Sequence, residues 1–402
     1  MRDVREIFDN VYWIGGSDRR PRAFEGVYDI PRGVSYNSYF INDEKTMVLD
    51  TVDRSVANIF FENLEFSLRG KALDYIVIHH MEPDHSAVLD DLIRRYPDVK
   101  IIANTKIAQM IKQFFDFDIE KRGIIVKEGD TFSTGAHTFT FLMAPMVHWP
   151  EVMFSYESKN KVIFSADAFG TFGALNGNLF ADEVNFESEW LPDARRYYAN
   201  IVGKYGRQVQ TVLKKMSAFD ITAICPLHGP IWRENLDWYL EKYERWSTYT
   251  PEENTVLIAY ASIYGNTENA VNILSGEIAK RGVHNIAIYD VSQHATDILV
   301  SEFFRCGHIV FASATYNAGI FIRMEEVLRD IESHHLKNRT IALIENGSWA
   351  ATAGSQMRAI LEKLDGMNFI DPIVKITSSV KDADRENLIV LAEKIVLSLR
   401  ES

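Results

Sequence analysis

The sequence predicts an α/β chain of two domains, each built on a sheet that carries its chemistry at the ends of its strands. Three observations carry that prediction. In the first part of the chain, successive short apolar runs end in His, Asp or Glu. In the second part, three apolar runs end in loops rich in Gly, Ser, Thr and Asn. Between the two parts lies the polar stretch 248–255, "TYTPEENT", broken by Pro251. Strand-length apolar runs alternating with helical patterns are the mark of α/β architecture. The junction is therefore expected near Thr250, dividing the chain into residues 1–250 and 251–402.

Composition agrees. A chain of 402 residues with 47% hydrophobic and 25% charged side chains fits a water-soluble protein with room for a substantial core. The formal net charge of -13 would repel a phosphate backbone, which excludes nucleic acid as the expected partner. No run approaches the roughly 18 apolar residues of a membrane span. The first residues, "MRDVREIFDN", lack the apolar centre of a secretory signal, so a cytoplasmic setting is expected. Cys225 and Cys306 read as buried thiols in a reducing compartment. Without a Cys-x-x-Cys pair, this chain is expected to carry no rubredoxin module and no iron–sulfur cluster.

Taken in order, "TMVLDTVD" at 46–53 reads as an early strand ending at Asp50. Tyr75–Ile78 is a second apolar run, and directly after it residues 80–85 read His-Met-Glu-Pro-Asp-His. His148 follows in "MVHWP", Asp167 in "VIFSADAFG" and His228 in "AICPLHGP". Residues 188–216 read as one long helical stretch, and 235–247 as another with helical spacing of aromatics. His80, Glu82, Asp84, His85, His148, Asp167 and His228 thus stand at or just beyond the ends of apolar runs. Four imidazoles and three carboxylates are too many for one tetrahedral ion. They suit two metals that share a bridging carboxylate. A sulfur-free, carboxylate-rich set suits iron or manganese better than zinc.

This pattern resembles the metallo-β-lactamase superfamily, which carries His-x-His-x-Asp-His and then His, Asp and His further on. Here Glu82 replaces the second His, as in the flavodiiron proteins. The resemblance implies a metallo-β-lactamase-like αβ/βα sandwich in which His80, Glu82 and His148 hold one iron. Asp84, His85 and His228 would hold the other, with Asp167 bridging. His79 lies outside the pattern and is read as a supporting residue.

The second part supplies an independent test. From Thr255 an apolar run leads into Ser262, Ile263, Tyr264, Gly265, Asn266 and Thr267, followed by a helical pattern. Hydroxyls, a glycine and free amides at a helix N-terminus make a phosphate cradle. No Lys stands where a triphosphate loop needs one. A second loop holds Ser313, Ala314, Thr315, Tyr316, Asn317, Ala318 and Gly319, and a third, from Glu345 to Gly354, includes Asn346, Gly347, Ser348, Trp349 and Ala350. The set resembles flavodoxins and implies a doubly wound parallel sheet binding FMN at its switch point. Tyr316 and Trp349 are placed to stack on a flavin.

Together the two resemblances imply a flavodiiron oxidoreductase. FMN and a diiron centre can each store two electrons, enough together to take dioxygen to water, while two suffice to couple nitric oxide into nitrous oxide. The family also implies an external donor, rubredoxin or another reduced carrier. It implies a head-to-tail homodimer, or a dimer of such dimers, that brings flavin and iron together. One departure stands out: many relatives place a His in an N-terminal loop over the iron pocket, where this chain has Glu25. A carboxylate there either lines the pocket or is a solvated loop side chain. Tyr197 and Trp149 are expected pocket walls. The competing function is a metal-dependent hydrolase with an electron-transfer flavodoxin domain, against which Glu82 and the FMN loops both argue.

Overall fold

The computed structural model describes residues 3–401, which form two compact units. One runs to Tyr198 and resumes over Arg207–Tyr243; the other comprises Ala199–Gly206 and the chain from Glu244 onward.

The first unit is a sandwich of two mixed sheets. One sheet has the strand order Arg5–Phe8, Val11–Trp13, Tyr39–Ile41, Met47–Leu49, Tyr75–Val77, Lys100–Ala103 and Gly123–Ile125. Its first four strands pair antiparallel, and from Met47–Leu49 onward the pairing is parallel. The other sheet runs Thr131–Ser133, Thr138–Met143, Met153–Glu157, Val162–Phe164 and Ala223–Cys225, its last pair parallel. Strands buried on both faces read as unbroken apolar runs. Met47–Leu49, Val162–Phe164 and Ala223–Cys225 are buried throughout, so "VIF" and "AIC" need no polar alternation. Side chains of the two sheets meet in the middle, as in the edge-on contact of Tyr39 with Phe164 at 5.2 Å and of Tyr75 with Phe132 at 4.8 Å.

The expected helix over 188–216 is interrupted. It breaks into Phe186–Glu189, Leu191–Tyr197, a π-turn at Tyr198–Val202, a 3₁₀ turn at Gly203–Tyr205 and Gly206–Met216. Pro192 at the start of Leu191–Tyr197 accounts for one break, since it lacks an amide donor and disfavours helical backbone before it. A Cβ on Gly206 would lie 2.3 Å from the Ser247 carbonyl oxygen, so only glycine fits there.

The second unit is a parallel sheet in the order Ile286–Asp290, Glu253–Ala261, Cys306–Tyr316, Thr340–Asn346 and Asn368–Ile376. In sequence order this is 2-1-3-4-5, the doubly wound order of flavodoxins. Strand side chains alternate between faces. Val256 and Ile258 join Ala270 and Leu274 of helix Asn266–Lys280 and Leu388, Leu391 and Ile395 of helix Asp382–Glu401 in one core. Phe303 of helix Thr296–Arg305 packs on Phe311 at 5.4 Å. Among the described residues, no helix is long and apolar enough to cross a membrane.

Candidate functional site

Two side-chain groups converge beyond the strand ends of the first unit. His80, Glu82, His148 and Asp167 form one; Asp84, His85 and His228 form the other, and within each the ligand atoms lie within 4.8 Å of one another. His80 follows strand Tyr75–Val77, and Asp84 and His85 sit on the single turn Pro83–Ser86. Asp167 follows Val162–Phe164 and His228 follows Ala223–Cys225. The backbone is drawn in tightly here: a Cβ on Gly170 would meet the Asp167 carbonyl oxygen at 2.9 Å and the His228 Cβ at 3.3 Å.

In the first group, Glu82 Oε2 lies 3.1 Å from Nε2 of both His80 and His148. Asp167 Oδ2 lies 3.1 Å from His148 Nε2 and 3.5 Å from His80 Nε2. The other Asp167 oxygen turns to the second group, 2.9 Å from His85 Nε2. There Asp84 Oδ2 is 3.2 Å from His228 Nε2, and the His85 and His228 Nε2 atoms approach to 3.1 Å. Both Asp84 oxygens are buried without a hydrogen bond among the described residues. Facing imidazole nitrogens, an unsatisfied buried carboxylate and a carboxylate with one oxygen toward each group form a donor set that fits two cations.

Two imidazoles are held from behind. His80 Nδ1 donates to Glu151 Oε1 at 2.8 Å, and that oxygen also accepts from the Met81 amide at 3.0 Å. His228 Nδ1 donates to the Ser35 carbonyl at 2.7 Å. Each bond fixes the tautomer that points Nε2 inward. Asp50 accepts from the His79 amide at 2.7 Å and pairs with His79 Nδ1 at 2.5 Å, while His79 Nε2 meets Ser155 Oγ at 2.8 Å. His79 thus supports the loop and does not enter either group.

Charge in this pocket is organised by proton sharing. Burial opposes a charged His80, but its bonds to Glu151 and Glu82 and the nearby Asp167 outweigh that and hold its pKa well above the ordinary value. Burial likewise opposes charge on His85 and His148. The charges of Asp84 and Asp167 raise His85 to about 9, and bonds to Asp167 and Glu82 raise His148 to about 9. Glu82 and Asp167 are displaced downward: burial resists, and the imidazoles prevail. Carboxylates matched by protonated imidazoles are what a metal would replace.

Glu25 sits at the turn between strands Ala23–Phe24 and Tyr28–Asp29, at φ +50°. The residue as a whole is exposed, yet its carboxyl reaches Glu82. Desolvation, a shared hydrogen bond with Glu82 and repulsion by that carboxylate raise it to about 8. Phe24 beside it meets the His228 ring edge-on at 5.4 Å. Tyr197 is fully buried, 5.6 Å from the His228 ring and 5.0 Å from Phe172, and its hydroxyl has no hydrogen-bond partner among the described residues. Trp149 stands edge-on to His80 at 5.2 Å.

In the second unit a cavity of 470 Å³ opens at the strand ends. Ser262, Ile263, Tyr264, Asn266, Thr267, Ala314, Thr315, Asn317, Ala318, Asn346, Gly347, Ser348, Trp349, Ala350 and Ser378 line it. Gly265, Ser313, Tyr316 and Gly319 belong to the same loops but are not among its walls. Gly265, at φ +84°, donates its amide to Ser262 Oγ at 3.1 Å and turns the chain into helix Asn266–Lys280. Thr315 Oγ1 accepts from the Thr352 and Ala353 amides at 3.1 and 3.2 Å, which ties the second loop to the third. Tyr264 and Trp349 are 92% and 84% exposed, an unusual state for large aromatics at a cavity rim and one that a planar ring ligand would relieve. Tyr316, 40% exposed, packs instead on Phe321 at 6.0 Å.

Sequence reasoning missed Glu151, the Ser35 carbonyl and Ser378. Glu151 lies three residues after His148 in "HWPEV", a spacing that was readable but not distinctive.

Comparison with known proteins follows the same lines. A family profile described as "ODP family beta lactamase" matches residues 34–229. An anaerobic nitric oxide reductase flavorubredoxin of Vibrio vulnificus is 30% identical over 365 residues, covering 88% of this chain and 72% of its own. An uncharacterized protein of Methanocaldococcus jannaschii is 29% identical over 368 residues, covering 92% of this chain and 91% of its own. Among solved structures, the rubredoxin oxygen:oxidoreductase of Desulfovibrio gigas superposes with a TM-score of 0.93 at 27% identity, covering 99% of both chains. The flavodiiron protein of Giardia intestinalis shares the fold at a TM-score of 0.92 and 24% identity, covering 100% of this chain and 98% of that one. With seven metal-type ligands in two groups, a flavodoxin-like unit and this kinship, the chain belongs to the flavodiiron family of oxidoreductases.

Proposed function

We propose that the chain takes electrons from an external carrier and passes them through FMN to two irons, reducing dioxygen to water, nitric oxide to nitrous oxide, or both. The observation that carries this reading is Asp167, with one oxygen toward each of two ligand groups in which Glu82 stands in place of an imidazole. His80, Glu82 and His148 would hold one iron, Asp84, His85 and His228 the other, and Asp167 both. Oxygen and nitrogen donors without thiolate suit iron. FMN would occupy the cavity in the second unit, its phosphate at the Ser262–Thr267 loop and its ring against Trp349. Bound iron and flavin together supply the electrons that either reduction needs.

The chain's own residues do the rest. Glu151 and the Ser35 carbonyl keep the imidazole protons on Nδ1. Phe24, Phe172 and Trp149 would give the pocket apolar walls. Tyr197 offers a buried hydroxyl with no competing protein partner among the described residues. Glu25 reaches the Glu82 carboxylate from the N-terminal turn, where it would relay protons toward the pocket. In this reading residues 1–250 carry iron and 251–402 carry FMN in a cytoplasmic, head-to-tail homodimer served by rubredoxin or a similar carrier.

Anaerobic mixing of the flavin- and iron-loaded, fully reduced protein with oxygen and with nitric oxide is the decisive experiment. Reoxidation by at least one gas within the mixing experiment is expected. Protein that stays reduced with both would overturn the reading, and zinc with no flavin in the purified protein would favour a hydrolase.

A further inference from the structure

Five aromatic side chains run from the metal groups to a surface pocket of the same unit. Tyr243 lies against the Phe169 ring at 4.3 Å, and its phenolic oxygen accepts the Phe169 amide at 2.5 Å. Tyr239 donates its hydroxyl to the Phe169 carbonyl at 3.3 Å and lies 5.5 Å from Tyr243. Phe169 is two residues beyond Asp167, so both tyrosines bond to the backbone of the loop that carries that ligand, at Phe169. Outward from Tyr239, Trp232 stacks at 4.0 Å with 13° between planes, and Trp238 follows 6.2 Å from Trp232. Trp232 and Trp238 line a surface pocket of 400 Å³ beside Glu187 and Glu234.

Core packing alone needs apolar rings, and phenylalanine would serve. Here the path consists of the two most easily oxidised ring types, in unbroken contact. Tyr239 and Tyr243 are fully buried, and Trp238 at the outer end is half-buried. Trp232 Nε1 is buried and has no hydrogen-bond partner among the described residues, although a buried indole N–H usually finds one. An indole with no acceptor keeps its proton when it loses an electron, so it hands the deficit on. Carboxylates near the outer ring favour a transient positive charge there. Lys242, 5.4 Å from the Trp238 ring, opposes it and keeps the charge from resting on that ring.

We propose that Trp238, Trp232, Tyr239 and Tyr243 form a one-electron port between the metal centre and solvent, by which an oxidising equivalent left at the centre is drained when the flavin is empty. This rests on the metal-loaded reading above. In each passage the centre gains one electron from the inner tyrosines, they are refilled through Trp232 and Trp238, and a soluble reductant of the ascorbate class loses one electron at the pocket. No proton leaves Trp232. Once refilled, each tyrosine is again a neutral phenol, so no net proton leaves either side chain in a passage. With hydrogen peroxide as oxidant, two such passages and two solvent protons yield two waters.

The test uses the iron- and FMN-loaded protein, flavin oxidised, mixed with hydrogen peroxide. Freeze-quenched samples are read by electron paramagnetic resonance, and peptides are mapped for oxygen adducts. A tryptophan radical and an adduct at Trp238 are expected, both suppressed by ascorbate. Trp232→Phe, which keeps a stacked ring, should abolish both at unchanged iron content and move damage to Tyr239 or Tyr243. Should that variant fail to fold, Trp238→Phe at the half-buried end should move the adduct to Trp232. Equal Trp238 oxidation in metal-free protein, or in Trp232→Phe, overturns the port, as does absence of any radical in the loaded wild type. None of these readouts needs turnover, so the port can fail while reduction of oxygen or nitric oxide stands.

Discussion

Replacing Glu151 by glutamine tests whether the support behind His80 matters to the metals in front of it. Glu151 is 1% exposed, and one of its oxygens accepts both His80 Nδ1 at 2.8 Å and the Met81 amide at 3.0 Å. Glu151→Gln keeps the shape and one acceptor oxygen but removes the charge that makes His80 a stronger donor to metal. Loss of such a partner typically costs about 10–100-fold in metal affinity, or about 1.4–2.8 kcal/mol. A neutral acceptor also weakens a charge-assisted bond that contributes about 1.5–3 kcal/mol, so the two routes agree in size. The assay is anaerobic competition for ferrous ion against a chelator of known affinity, with thermal melting of the metal-free variant to confirm its fold. Affinity within twofold of wild type in a folded variant would refute the reasoning, because Glu151 would then be a buried acid with no hold on the centre.

Asp167→Ala and His148→Ala should each lower iron content and abolish turnover while FMN stays bound, as read by metal analysis and the flavin spectrum. Trp349→Ala should weaken FMN binding by about 0.5–1.5 kcal/mol in a fluorescence titration, and unchanged affinity would remove Trp349 from the ring site. In metal-free protein His85 and His148 titrate at about 9, above their unfolded value, so their contribution to stability is full below about 6.5 and lost as pH rises through 9. The melting temperature of the metal-free form should therefore fall across that window. Glu25, an acid raised to about 8, adds a loss of the same sign between its unfolded value and 8, and iron affinity should rise over the range as protons stop competing. Glu25→Ala should change the oxygen and nitric oxide rates by different factors, since water formation draws more on proton delivery; Glu25→His should shift the ratio without loss of iron, and equal scaling of both rates would retire this role.

The residue types at strand ends made most of the fold legible. Each ligand is a rare polar residue beside an apolar run, and "ASIYGNTEN" pairs a strand with a glycine turn and a helix start. Support from behind was harder to see. Glu151 reads like any loop glutamate until its carboxylate is placed against His80. Ser35 acts through its carbonyl, which every residue has. Ser378 reaches the cavity from a loop after strand Asn368–Ile376, and its hydroxyl bonds to Ser348 at 2.9 Å, a tertiary contact with no local pattern. Helical spacing over 188–216 hid its breaks, although Pro192, Gly203 and Gly206, all poor helix formers, stand at or beside them.

If Asp167 is shared by two ions, metal uptake would be a linked process. Its oxygens already face both groups, one of them 2.9 Å from His85 Nε2, so its charge would be divided between whichever ions are present. An ion at one group would change the affinity of the other, and by reciprocity each would change the other's by the same factor. The curve of activity against total iron would then carry the sign of that coupling: a straight line where the ions favour each other, a lag where they oppose.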